Sequence, residues 1–359
     1  MILHIITSLR DGGAQKQLYQ LLIEKTTYAQ DVLILKDGGL IKKKLKNKNI
    51  NIINFSKLNL FNKINFFLFF NQRYEYKTII AWLPHAQIFS ILLKIINYKS
   101  VVIFANIRQS LDFMTDFKIK TRFIIFLVKK FSFLFEGFIF NSYYARKQHI
   151  TDGFHIKKSK VISNKLSNNI VTKQIPKFPR NKKYFYVGHF ARFDSLKNHL
   201  IFINMAILIL SEKNNIIFVM GGHDINWNNE FFKKNIPFKY RKNFKLLGVV
   251  SDINSFYDKL DLFCLTSNAE SFPNVLIESM ARGVPCISSN VGDSKIIINN
   301  HKLICKKNNL NKLLLVVKNF ISLTIREKYL ISKKNLITIK KKYLIFNKNK
   351  EYITFIKSN

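Results

Sequence analysis

Carboxylates are scarce in this chain, with 21 aspartates and glutamates against 59 lysines and arginines over 359 residues. The formal net charge of +38 repels itself unless an anionic partner takes it up. Cysteine is rarer still. The three present, Cys264, Cys286 and Cys305, form no C-x-x-C pair and have no ligand partners at zinc spacing. That argues against a zinc site or a disulfide framework and for reduced, buried thiols in a cytosolic protein. No apolar run approaches the roughly eighteen residues of a membrane span, and Met1 leads straight into a short strand, so neither a span nor a secretory signal is expected. The G-x-G-x-x-G pattern is missing, which argues against a nicotinamide cofactor. No Asp-x-Asp motif stands out, so no metal is expected. No repeat at solenoid period and no nucleic-acid-binding module is evident.

What is there is a hydrophobic fraction of 48%, enough for two cores in a chain longer than one core normally supports. Short apolar strands alternate with helical patterns, at Ile2–Thr7, Asp31–Lys36, Thr78–Ala81, Val101–Ala105 and Phe138–Phe140. Such alternation predicts doubly wound α/β architecture. The stretch 166–183, with Pro176, Pro179 and many Asn and Lys, reads as a linker. The expected organisation is a first domain over 1–166, a linker over 167–183, a second domain over 184–340 and a helical tail over 341–359.

The most informative stretch is Asp261–Gly292, DLFCLTSNAESFPNVLIESMARGVPCISSNVG. It reads as a buried strand over 261–266, a polar loop over 267–271 and a helix over 272–282, with Pro273 in the first turn and Gly283 past the end. A helix start offers unpaired N–H groups and a positive dipole end, so Phe272, Pro273, Asn274 and Val275 are candidates to receive a diphosphate. Glu270 lies ahead of that start. Glu278 lies about six residues into the predicted helix, roughly 9 Å along its axis. A carboxylate accepts two hydrogen bonds and so suits a vicinal diol.

The run ESFPNVLIESMARGVP resembles the signature of retaining glycosyltransferases of family 4, in which two glutamates separated by seven residues sit in a strand-loop-helix. The resemblance implies a GT-B fold, two Rossmann-like domains facing a cleft. It also implies a nucleoside diphosphate sugar as donor, with Glu270 on the transferred sugar and Glu278 on the ribose. Ser271 stands where the family usually has Gly. Three more stretches extend the likeness. In YFYVGHFARFDSLKNH, Arg192 and Lys197 match the basic pair that holds the donor diphosphate and stabilises its growing charge. His189 and Asn198 there depart from the usual Arg and Gly. Gly12 and Gly13 follow the first strand, and Gly221 and Gly222 end a strand where open α/β sheets bind ligands. In the first domain His85 and Arg108 fall near the family's acceptor side, and Lys165 replaces a family glycine.

The implied activity is sugar transfer to a hydroxyl of a glycan or lipid-linked glycan in bacterial surface polysaccharide or lipopolysaccharide synthesis, without cofactor or metal. Lysines adjoin Phe-rich stretches at Leu58–Phe70 and Phe117–Phe135, which suggests contact with an anionic membrane surface on its cytoplasmic face. Part of the Lys, Asn, Ile and Phe richness also fits a genome-wide bias. Two rival classes stay open. One is a basic nucleic-acid- or membrane-binding protein without transferase activity. The other is a GT-B relative with different chemistry, such as a sugar-nucleotide epimerase.

Overall fold

The computed structural model describes residues 1–10, 12–24, 26, 28–46, 48, 50–70, 74–97, 101–112, 114, 118–166, 170–172, 183–344 and 347–358. Most of the expected linker therefore lies outside the described residues, as does Asp11 beside the first glycine pair. The chain divides into two units, Met1–Lys165 with Asn347–Asn359, and Leu166–Phe346. The stretch read as one tail over 341–359 is thus shared between them, its last helix belonging to the first unit.

The first unit carries seven parallel strands: β1 (Ile2–Ile6), β2 (Gln30–Ile34), β3 (Ile52–Asn54), β4 (Thr78–Trp82), β5 (Val102–Ile107), β6 (Gly137–Phe140) and β7 (Ser159–Val161), in the order β3-β2-β1-β4-β5-β6-β7. β1 is buried along all five residues, as expected of a parallel strand covered on both faces. β2 begins one residue earlier and ends two earlier than the sequence pattern predicts. Leu3 and Ile5 join Leu33, Ile79, Ala81, Ile103 and Phe138 in one apolar core.

The helix Lys348–Lys357 closes this unit through a buried polar chain. Trp82 Nε1 donates to His4 Nδ1 at 3.1 Å, which leaves the proton on His4 Nε2, 2.8 Å from Gln30 Oε1. Gln30 in turn donates to Asn349 Oδ1 at 2.9 Å. Burial pushes His4 down to about 4, so this relay is neutral at pH 7. Beside it Asn106 Nδ2 donates to Tyr352 Oη at 2.9 Å, and Arg108 donates to the same hydroxyl and to Asn164 Oδ1. The Lys165 backbone is pinned by both atoms of the Gln17 amide at 3.1 Å, and its φ is not positive, so no glycine is needed there.

Three helices of the first unit pack side by side, Leu60–Leu68 and Ile119–Lys130 each against Pro84–Ile96. Each also leaves an apolar face open. Phe61 is 70% exposed, Phe123 59% and Phe126 57%, with Leu60, Ile64, Leu92 and Ile95 also outward. The Phe-rich stretches are therefore only partly core.

The second unit repeats the pattern with β8 (Phe185–Phe190), β9 (Ile216–Gly221), β10 (Phe244–Leu246), β11 (Leu262–Leu265), β12 (Cys286–Ser289) and β13 (Ile304–Cys305), in the order β10-β9-β8-β11-β12-β13. The three cysteines are buried and unbridged. No helix among the described residues is long and apolar enough to cross a membrane.

Tyr352→Phe keeps the ring but strips Arg108 and Asn106 of a shared buried partner. It should cost the first unit about 1–3 kcal/mol. Trp82 lies in that unit and Trp227 in the other, so urea unfolding followed by Trp82 fluorescence in a Trp227→Phe background reads the loss.

Candidate donor site in the second unit

The order of the second sheet changes direction between β8 and β11, where Val187 pairs with Leu262 and Gly188 with Phe263. Open α/β sheets bind ligands outside the carboxyl ends of strands at such a point. Here those ends release the loops 191–198 and 266–273, which are bolted together. Asn268 N donates to Leu196 O at 2.8 Å, and the Thr266 hydroxyl lies 3.2 Å from the carbonyls of Lys197 and Asn198. Asn198 Nδ2 donates to both Asn268 Oδ1 and Asn308 Oδ1.

That scaffold sets Lys197 Nζ 2.6 Å from Glu270 Oε1, with Ser267 Oγ donating to the same oxygen at 3.0 Å. Both side chains are under one-fifth exposed, which strengthens the pair relative to a surface one. Arg192 is two-thirds exposed and grips Asp194 Oδ2 through Nε and Nη2 at 3.0 and 2.7 Å. Burial alone would raise the Asp194 carboxyl, but the Leu196 N–H and Arg192 together hold it below the usual carboxylate range. Its other oxygen caps the turn Ser195–Lys197. Asp194 thus holds both Arg192 and the turn that carries Lys197, a contact not evident from the sequence.

Asn198 replaces the family glycine without strain. Its φ of 49° is left-handed, a region Asn tolerates, and its side chain also caps the helix His199–Leu210. His199 Nε2 lies 3.0 Å from the Arg192 carbonyl and His189 Nδ1 3.0 Å from that of Cys264. Burial and the neighbouring His199 push His189 down to about 3, so it is a neutral core residue.

The helix after β11 runs Asn274–Ala281, not from Phe272 to Arg282 as predicted. The residue before a proline is disfavoured in the helical region, so Phe272 stays outside and Pro273 becomes the N-cap. Phe272 is buried against Tyr343, with rings 5.8 Å apart. The helix start, and with it the positive end of the helix dipole, therefore lies at Asn274. Glu278, four residues further along, sits about 6 Å up the axis rather than 9 Å. Asn274, Val275 and Glu278 are half-buried on one face, while Leu276, Ile277 and Met280 enter the core. Tyr257 Oη, wholly buried, donates to Glu278 Oε2 at 3.1 Å.

Two glycines hold the loops from behind. Gly292, at φ +50°, lies where a Cβ would come 2.3 Å from Ser271 O and 2.7 Å from Glu270 O. Gly222, at φ +141°, lies where a Cβ would come 2.0 Å from Ala191 O. The predicted Gly221 closes β9 beside Phe190 and Val250. Ser271 does not have positive φ, and Asp293 N donates to its carbonyl at 3.2 Å, so the family's glycine is not required by the backbone.

In the first unit, Gly12 is extended and Gly13 opens the helix Gly13–Leu22 at the end of β1. His85 is half-buried in the first turn of Pro84–Ile96, and burial, then Lys36, lowers its pKa, so it is neutral at pH 7. Leu83 before it has φ +71°, a strained value for a branched residue at the point where this sheet reverses order. Arg108 turns inward to Tyr352 and stacks 4.9 Å over Trp82. The described residues hold no group of three or more His, Cys, Asp or Glu able to bind a metal.

Residues 171–336 match the family model of glycosyl transferases group 1. The matched stretch contains every second-unit candidate named above. The UDP-Gal:alpha-D-GlcNAc-diphosphoundecaprenol alpha-1,3-galactosyltransferase of Escherichia coli is 31% identical over 108 residues, 29% of this chain and 27% of that protein. The match thus spans about a quarter of that relative. Anabaena Alr3699/HepE, solved in complex with UDP and glucose, superposes with a TM-score of 0.79 at 19% identity, over 100% of this chain and 99% of that one. The lipopolysaccharide outer core galactosyltransferase WaaB, in its apo form, gives 0.71 at 15% identity over 100% of both chains. A glycosyltransferase from Rickettsia africae gives 0.74 at 16%, over 100% and 99%. These likenesses establish the GT-B fold, with two Rossmann-like units.

Gly292→Ala combines a left-handed φ with a clash against backbone that cannot swing away. It should lower the stability of the second unit by about 1–3 kcal/mol, read from Trp227 emission during thermal unfolding.

Proposed function

We propose that the chain is a retaining glycosyltransferase of family 4 that moves a sugar from a nucleoside diphosphate donor to a hydroxyl of a glycan or lipid-linked glycan in bacterial surface polysaccharide synthesis. The observation that carries this reading is the Lys197–Glu270 pair, held at 2.6 Å between the ends of β8 and β11 and ahead of the helix start at Asn274. The diphosphate settles on the Asn274 and Val275 amides and draws Lys197 and Arg192 from their carboxylates. Glu270, so released, turns to the hydroxyls of the transferred sugar. Glu278, oriented by Tyr257, accepts from the ribose. The bond from the anomeric carbon to the diphosphate breaks, and the acceptor oxygen joins the same face. The acceptor proton passes to the departing phosphate oxygen. The two cations and the helix dipole stabilise the leaving charge, which is why no metal or cofactor is invoked. The E. coli relative's name, which specifies a diphosphoundecaprenol-linked acceptor, supports a lipid-linked acceptor here.

The first unit's open faces support a peripheral seat on the cytoplasmic side of the membrane. Phe61, Phe123 and Phe126 project among Lys63, Lys120 and Arg122 on helices that share one packed layer. No nucleic-acid module accompanies the charge, so no specific nucleic acid is invoked.

Release of free nucleoside diphosphate from a panel of uridine, guanosine and adenosine sugar nucleotides tests the donor site. Slow hydrolysis of one donor is expected, with Lys197→Ala and Glu278→Ala at least ~100-fold slower. Tyr257→Phe should instead raise the donor KM about threefold to tenfold with kcat little changed, as loss of one hydrogen bond predicts. Turnover is expected to survive chelator; loss restored by a divalent ion would reverse the metal-free reading. Flotation with anionic vesicles at low salt checks the membrane seat, and protein left in the soluble fraction would rule it out.

A further inference from the structure

The second unit carries a basic and apolar surface that the transfer reaction does not use. It lies on the helix Ile325–Ile339 and the π-helical turn Lys340–Leu344 that continues it. The buried side of the helix is formed by Lys328, Ser332, Asn335, Leu336 and Ile339. Its outward side carries Leu330 and Ile337, 53% and 45% exposed and two turns apart. Around them Lys333, Lys334, Lys341 and Lys342 border a shallow groove whose exposed lining is mostly apolar. The wide π turn leaves Lys340, Lys341 and Lys342 all exposed while Tyr343 stays buried.

The charge on this surface is unanswered. From Lys328 to Lys350 the sequence holds no aspartate or glutamate. The nearest carboxylate on the helix, Glu327, is engaged in the capping box with Thr324. Lys328 serves internal carbonyls of Ile321 and Leu323, and Lys334 reaches only the Asn299 carbonyl, at 3.5 Å. Lys333, Lys341 and Lys342 have no carboxylate partner among the described residues.

We propose that this surface docks on an anionic phospholipid bilayer, as a second membrane contact carried by the second unit and independent of the first unit's aromatic faces. A nucleic acid would be met by the cations alone, whereas two aliphatic side chains framed by lysines fit an interface with acyl chains below and phosphates around. The lysine stems extend the apolar strip while their ammonium groups reach the headgroup level.

The three native cysteines are buried, so Ile337→Cys gives a single accessible thiol for an environment-sensitive fluorophore on the full chain. Vesicles of phosphatidylcholine with phosphatidylglycerol should shift its emission to the blue, and a spin-labelled lipid should quench it. Vesicles of phosphatidylcholine alone should do neither. Lys333→Gln with Lys341→Gln should weaken vesicle partitioning about thirtyfold at low salt, with the thermal midpoint unchanged. A probe at 337 that stays unaltered while one at Phe123→Cys responds overturns this docking surface and leaves the first unit's membrane seat standing. No response from either probe overturns both. A shift with single-stranded RNA but not with vesicles assigns the surface to nucleic acid and overturns the proposal.

Discussion

The parallel pairing of β8 with β11 is the constraint on which the site depends. Sequence separates Lys197 from Glu270 by 73 residues, yet the switch in strand order delivers their loops side by side. Everything around the pair then acts to fix it. Thr266 and Asn198 hold the Lys197 backbone, Asp194 caps its turn, and Gly292 lets the Glu270 carbonyl region pack against the loop after β12. A cation and a carboxylate left half-buried need each other when no anion is present. On the proposed reading, an arriving diphosphate takes Lys197 and Arg192 from these carboxylates.

The first unit answers a different demand. Arg108 is half-buried and Lys348 fully buried, and burial lowers the pKa of each. Removing such groups from water is tolerable only with hydrogen-bonding partners, which Tyr352, Asn164 and Gln17 supply. The final helix is thereby tied to Gln30 at the start of β2, to the carboxyl end of β5 and to the helix Gly13–Leu22 by polar contacts as well as by Phe355 against Phe104. Arg108 belongs to this clamp.

Much of the fold and of the candidate site's local framework is legible in the sequence because its signals are local. Alternating apolar strands announce a doubly wound sheet, and ESFPNVLIES announces loop, helix start and paired glutamates within ten residues. The helix starts two residues later than the sequence pattern predicts, because Pro273 disfavours the helical region at the residue before it, Phe272. What sequence did not show are contacts made across long separations. Tyr257 meets Glu278, Gly292 meets Ser271, and Tyr352 meets Arg108 244 residues earlier, each only after the sheet has assembled. The substitutions of Gly by Asn198, Lys165 and Ser271 looked disruptive as words. They prove compatible once φ values and partners are known, because Asn takes the left-handed conformation and the other two positions never require it.

The central claim is that a diphosphate binds between the ends of β8 and β11 by taking Lys197 from Glu270. A crystal structure with uridine diphosphate tests it most directly. The account predicts phosphate oxygens within hydrogen-bond distance of Lys197 Nζ and the Asn274 amide, with Lys197 drawn away from Glu270. A diphosphate bound elsewhere, with the Lys197–Glu270 pair intact, would contradict it.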